Sequence, residues 1–158
     1  MIGSFGATSV LIYGVIQSPL AQPRNLIGGH VVSAIIGVSV YQILPDILWL
    51  NAPLAVSLSI VAMQYTKTLH PPGGATALIA VTGSEKIIDL GYLYVLFPVL
   101  SGVLILFFVA LIINNITSRR KYPNDGRFSY HLKWFIQPIR KVSKKLEKNK
   151  LNVTVYNL

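Results

Sequence analysis

An all-α fold that crosses the membrane several times follows from three observations. Hydrophobic residues make up 53% of the 158 and charged residues only 12%, which suits lipid rather than water as the solvent. Two stretches, 25–45 and 91–117, hold no charged side chain, and the 25 residues of 92–116 exceed the roughly 20 that cross a bilayer. Neither stretch alternates as a strand would, so helices and not a barrel satisfy the backbone. The third observation is an interruption. Lys67-Thr-Leu-His70-Pro71-Pro72-Gly73-Gly74-Ala75-Thr76-Ala77-Leu78 sits between two apolar runs, at a depth where a membrane helix would continue.

Taken in order, residues 1–16 are apolar but glycine-punctuated, and Ser4 suits the N-cap of a helix of about three turns. No basic segment precedes them, so a cleaved signal peptide is not expected. Residues 17–25, with Pro19 and Pro23, read as a loop carrying Arg24. A spanning helix is expected over 26–44. Gly29, Ser33 and Gly37 recur along it every four residues, a small-residue face that permits close helix packing. Pro45 and Asp46 end it. Pro53 suits the first turn of the next helix, which runs to about Thr68. A mixed-charge loop at 82–90 leads to the long helix 92–116, with Pro98 as its kink.

The interruption is the candidate site. Prolines supply no backbone donor and hold the preceding residue extended, and glycines permit a tight turn or a close approach to a ligand. A fresh helix starting at Ala75 would then present unpaired N–H groups carrying partial positive charge. Gly73, Gly74, Ala75 and Thr76 form a candidate anion cradle on this reading, against the alternative of a purely structural helix break. A weak internal repeat at an offset of 68 aligns Gly6, Ala7 and Thr8 with Gly74, Ala75 and Thr76; its alternative is coincidence among Gly, Ala and Ser, and on the repeat reading the first set is the opposite half of the cradle. The second copy has a helix in front of its short helix and the first has none, so either the chain lacks one helix of its architecture or another subunit supplies it. His70, an ionisable group at membrane depth, is a candidate proton carrier or anion partner, with a structural cap as its alternative. His30 is a second candidate, equally readable as a packed helix residue. Arg24 is placed to gather anions at an entrance or to set orientation. Lys67 lies one turn before His70 and either shares its cavity or snorkels to the interface.

Eleven of the 14 Lys and Arg residues lie in 119–150, so the net charge of +9 belongs to the tail. A membrane domain over 1–117, with four or five membrane helices, is therefore expected to precede a basic tail over 118–158. A cytoplasmic (or, in a plastid, stromal) C-terminus follows from the positive-inside rule. If all five apolar segments cross, the two copies run in opposite senses as an inverted repeat, although 73–81 is too short to span alone and a re-entrant path breaks the alternation. Ile139, Val142 and Leu146 suggest a surface amphipathic helix over 138–148 facing anionic lipid, with a disordered tail as the alternative. Nucleic acid need not be invoked. A homo-oligomer is expected from the glycine face and the unmatched leading helix. With no cysteine, thiol catalysis, disulfides and thiolate metal sites are excluded. There is no paired-carboxylate, Ser-His-Asp or metal-ligand set, so neither an enzyme nor a cofactor or metal is expected.

The nine residues His70-Pro-Pro-Gly-Gly-Ala-Thr-Ala-Leu78 resemble the signature of the integral-membrane HPP family. So do Gly3-Ser-Phe-Gly-Ala-Thr-Ser-Val-Leu-Ile12 and the run from Ser18 through Pro19, Pro23 and Arg24 to His30, and the resemblance extends to about Leu111. It implies a small helical membrane protein. Members from chloroplasts and cyanobacteria are associated with nitrite transport, while others have no assigned substrate. The expectation is a transporter or channel for a small monovalent anion, nitrite first, in a cell membrane or plastid envelope. The alternative is a membrane scaffold or sensor subunit whose basic tail binds lipid or a partner.

Overall fold

In a computed structural model of the protein, the described residues are 3–116, 120–125, 137–138, 141–142 and 144–145. All regular structure among them is helical. The chain divides into two compact units, Met1–Phe107 and Phe108–Leu158.

The first unit opens with α1 (Ser4–Ser9), continued by a wider π-helical turn at Val10–Gly14. A 3-10 turn at Pro19–Ala21 leads into α2 (Pro23–Ile43), whose proline sits in the first turn where its missing N–H costs nothing. α3 (Leu48–Tyr65) starts five residues before Pro53, which therefore lies inside the helix and not at its first position as expected. α4 (Pro71–Thr82) likewise starts earlier than the sequence suggests. The two prolines do not break it but form its first two residues, and Gly73 and Gly74 are helical. A short α5 (Glu85–Ile88) follows. The last helix is interrupted at Phe97, whose extended backbone (φ −130°, ψ 119°) precedes Pro98. Beyond it α6 (Ser101–Ile116) continues.

Among the described residues, three segments are long and apolar enough to cross a bilayer: Pro23–Ile43, Leu48–Tyr65 and Val95–Ile116. α1 and α4 are not; α4 is a short, largely buried helix, and α1 packs on the bundle by one face with its other face exposed. α2, α3 and α4 pack on one another, α1 lies on α4, and the segment before α6 lies on α2. Ala34, Val38, Ala80, Tyr94, Val95 and Val99 form one apolar cluster, and Val40, Ala55, Ala77 and Val81 a second.

The small-residue face of α2 packs within the chain, against α4. A Cβ at Gly29 would fall on the Cβ of His70, and one at Gly37 would lie 2.6 Å from the Ala77 carbonyl oxygen. On the facing helix, a Cβ at Gly73 would lie 2.9 Å from the Gly29 carbonyl oxygen and 2.7 Å from Ser33 Oγ. The glycines thus allow backbone-to-backbone contact of the kind membrane helices use to associate. The face that suggested contact between copies is consumed by this contact, so it supplies no argument for an oligomer.

In the second unit Asn115 Nδ2 donates to the Leu111 and Tyr122 carbonyls at 2.8 and 2.6 Å, and the Tyr122 N–H donates back to Asn115 Oδ1 at 3.3 Å. These bonds fold residues 120–122 back onto the last turn of α6. Of the surface helix expected over 138–148, the described residues Pro138, Lys141, Val142, Lys144 and Lys145 are helical and exposed. The remainder, Ile139 and Leu146 included, lies outside the described residues.

Candidate functional site

Ser4 and Thr8 lie one helical turn apart on the buried face of α1, Thr76 and His70 belong to α4 and its N-cap, and His30 projects from α2. All five converge, and each is at most 1% exposed. Gly29 makes the meeting possible, because any side chain there would displace His70.

The hydrogen bonds form a continuous chain. His70 Nδ1 donates to the Leu20 carbonyl at 2.8 Å, and its Nε2 lies 3.1 Å from Thr8 Oγ1. Thr8 Oγ1 is 2.7 Å from His30 Nε2 and also reaches the Ser4 carbonyl at 3.1 Å. His30 Nδ1 is 2.7 Å from Thr76 Oγ1, which is 2.8 Å from Ser4 Oγ. The repeat-matched threonines thus sit on opposite nitrogens of one imidazole. The two imidazole centroids are 4.9 Å apart, and the Phe5 ring meets His30 edge-on at 5.6 Å. Tyr94 donates its hydroxyl to the Thr76 carbonyl at 3.1 Å.

Phe5 also borders a groove of about 710 Å³, lined with Gly3, Ile79, Pro98, Ser101 and Gly102 among others. A Cβ at Gly102 would strike the Phe5 ring, so this glycine seats it. The aromatic ring therefore lies between the groove and His30.

The other residues singled out in the sequence lie elsewhere. Gly6 and Ala7 are on the exposed face of α1, turned from the cluster. Arg24 is exposed and donates from Nη2 to the Thr66 carbonyl at 3.1 Å, tying the start of α2 to the end of α3. Lys67 is exposed in the turn after α3 with a left-handed backbone (φ 56°), so it does not share a cavity with buried His70. Gly73, Gly74 and Ala75 are in α4, but the cradle of unpaired amides is not there. Pro71 and Pro72 have no N–H, and the Gly73 N–H donates to the His70 carbonyl at 2.8 Å. Side chains, not the helix terminus, supply the polar groups at this place.

Sequence reasoning missed Ser4 as a member, taking it for an N-cap; Gly3 holds that position and Ser4 is buried. The Ser4–Thr8 spacing of four was the available signal. Tyr94 and the Leu20 carbonyl gave none.

Membrane-length helices packed around a buried cluster of imidazoles and hydroxyls define a polytopic helical membrane protein. Residues 1–123 match the family described as "HPP, transmembrane region", and the chain belongs to that family. It is 51% identical over 129 residues to a transmembrane protein of Dictyostelium discoideum, covering 78% of this chain and 44% of that one. A second Dictyostelium discoideum transmembrane protein is 50% identical over 129 residues, with 78% and 40% covered. The chain thus spans less than half the length of these relatives. No solved structure matches it.

Proposed function

We propose that the membrane unit carries a small monovalent inorganic anion across the bilayer, passing the His30–His70 cluster, and that nitrite is the first substrate to test. One observation carries this reading: two imidazoles and three hydroxyls converge, fully buried, among the apolar helices with no carboxylate beside them. Buried ionisable groups inside a membrane are costly and mark substrate or proton pathways. Imidazole and hydroxyl groups can donate to an anion, whereas a cation would find no negative partner. The acids among the described residues, Asp46, Glu85, Asp89 and Asp125, are all exposed. Nitrite itself rests on the family resemblance. The role is movement of a solute and not chemical conversion of one.

A second reading is favoured by a specific observation. Every ring nitrogen of the cluster already has a protein partner, which is also how a purely structural polar core is built. On that reading the protein is a membrane scaffold or sensor subunit. Uptake into proteoliposomes separates the two. Transport predicts accumulation that depends on anion identity and is lost in His30→Ala while the protein still inserts. A tight vesicle that admits none of nitrite, nitrate and chloride supports the scaffold.

A further inference from the structure

The hydrogen-bonded chain from Leu20 to Ser4 has one end whose direction cannot change. A carbonyl oxygen only accepts, so His70 Nδ1 always carries a hydrogen and donates it to Leu20. The charge of His70 is then decided at Nε2, which faces Thr8 Oγ1. Thr8 has one hydroxyl hydrogen for three neighbours: His70 Nε2, His30 Nε2 and the Ser4 carbonyl.

If His70 is neutral, its Nε2 lone pair needs the Thr8 hydrogen. The Thr8 oxygen must then accept from His30, which places the His30 hydrogen on Nε2 and leaves Nδ1 to accept from Thr76. Thr76 then turns its hydrogen to His30 instead of to Ser4 Oγ. If His70 is protonated, its Nε2–H donates to Thr8, and Thr8 is released to donate to His30 Nε2. The His30 hydrogen then sits on Nδ1 and points to Thr76, which donates to Ser4 Oγ. Both arrangements use the same five side chains at the same distances.

We propose that this cluster is a binding site for one proton, and that its arrival on His70 switches His30 from the Nε2–H to the Nδ1–H tautomer through the Thr8 hydroxyl. The two states differ by a single H⁺. A proton delivered by way of Ser4 Oγ to Thr76 Oγ1 releases the hydrogen that Thr76 already carries to His30 Nδ1. His30 gives up its Nε2 hydrogen to Thr8, and Thr8 gives its hydrogen to His70 Nε2. The two threonine oxygens each gain one hydrogen and lose one, His30 gains at Nδ1 the hydrogen it loses at Nε2, and His70 Nε2 keeps the added proton and its charge. The supply side is the groove, because Gly3 and Phe5, the neighbours of Ser4, both line it.

The surroundings limit the site to one charge. From α1 it is faced by Ser4, Thr8 and Phe5, from α2 by His30, and from the segment before α6 by Tyr94, whose hydroxyl is held by the Thr76 carbonyl. α3 is packed on α2 and α4, and its one titratable group, Tyr65, is 90% exposed. Arg24 and Lys67 are exposed. A second proton would put two cations 4.9 Å apart with no carboxylate between them. The proposal rests on the anion reading only for what travels with the proton: a monoanion beside protonated His70 would make the pair electroneutral.

Nitrogen-15 NMR of the full chain with labelled histidine, in lipid nanodiscs without added anion, tests it. His131→Gln leaves His30 and His70 as the only histidines. Over about pH 4 to 9, spanning ordinary histidine titration, His70 should become doubly protonated and the protonated nitrogen of His30 should move from Nε2 to Nδ1 with the same midpoint. Thr8→Val should uncouple the rings, leaving His30 in one tautomer throughout, and Thr8→Ser should restore the switch. The proposal is overturned if wild-type His30 keeps one tautomer while His70 titrates, or if neither ring gains a proton. It is also overturned if Thr8→Val still switches. An intact switch in protein that takes up no anion into proteoliposomes would overturn the anion reading alone.

Discussion

At the scale of the residue, Thr8 carries more than its size suggests, since its one hydroxyl serves both imidazoles. Thr8→Val keeps the shape but leaves a nitrogen on each ring without its partner. Stability should fall by about 1–3 kcal/mol, the usual cost of an unsatisfied buried polar group, and Thr8→Ser should recover most of it. Thermal unfolding in detergent micelles measures both. How much of the site could be read in advance divides along the same lines. Thr8 and Thr76 are paired by the repeat, and His30 and His70 are conspicuous as ionisable groups in apolar sequence. The links between them are not local. His70 finds its acceptor on a backbone carbonyl 50 residues earlier, and Tyr94 reaches α4 across 18 residues. No periodicity encodes such contacts, because they depend on how helices cross.

The element that most departs from expectation is α4. Read along the chain, two prolines and two glycines look like the end of order. In three dimensions the prolines fill the two N-terminal positions where a helix has no use for their missing donors. The adjacent glycines play different parts. Gly73 faces backbone of α2 at a separation that admits no Cβ, whereas a Cβ at Gly74 meets only Val56 Cγ1 at an ordinary 3.6 Å. Gly73→Ala should therefore destabilise by about 1–3 kcal/mol, as overpacking does. Gly74→Ala should be neutral or stabilise by up to ~1 kcal/mol through helix propensity. Comparing the two melting temperatures checks the register of α4 directly; equal losses would contradict the packing. The long apolar runs, by contrast, were legible almost to their ends, since a membrane-length helix needs little but continuity of apolar residues.

For the whole molecule, orientation is expected from charge that lies mostly after the last span in the sequence. Eleven basic residues follow the last span, so a tag placed at Leu158 should be accessible only from the cytoplasmic or stromal side, as read by protease protection in sealed vesicles. The shortness of α4 bears on how the molecule is made. Its 12 residues extend only about 18 Å, against a hydrocarbon core of about 30 Å, so lipid alone gives it no stable transmembrane station during synthesis. It must wait for a seat prepared by α2 and α3, which places the pairing of those two helices earlier in biogenesis than the lodging of α4. Because the chain has no cysteine, this order can be followed with one introduced thiol. Ala77→Cys, fully buried against α2, should resist a water-soluble maleimide in finished protein and react once Gly37→Leu denies α4 its place. A single leucine side chain on α2 would then decide whether a newly made chain matures or is left with a short, proline-headed segment for the cell's membrane quality control to find.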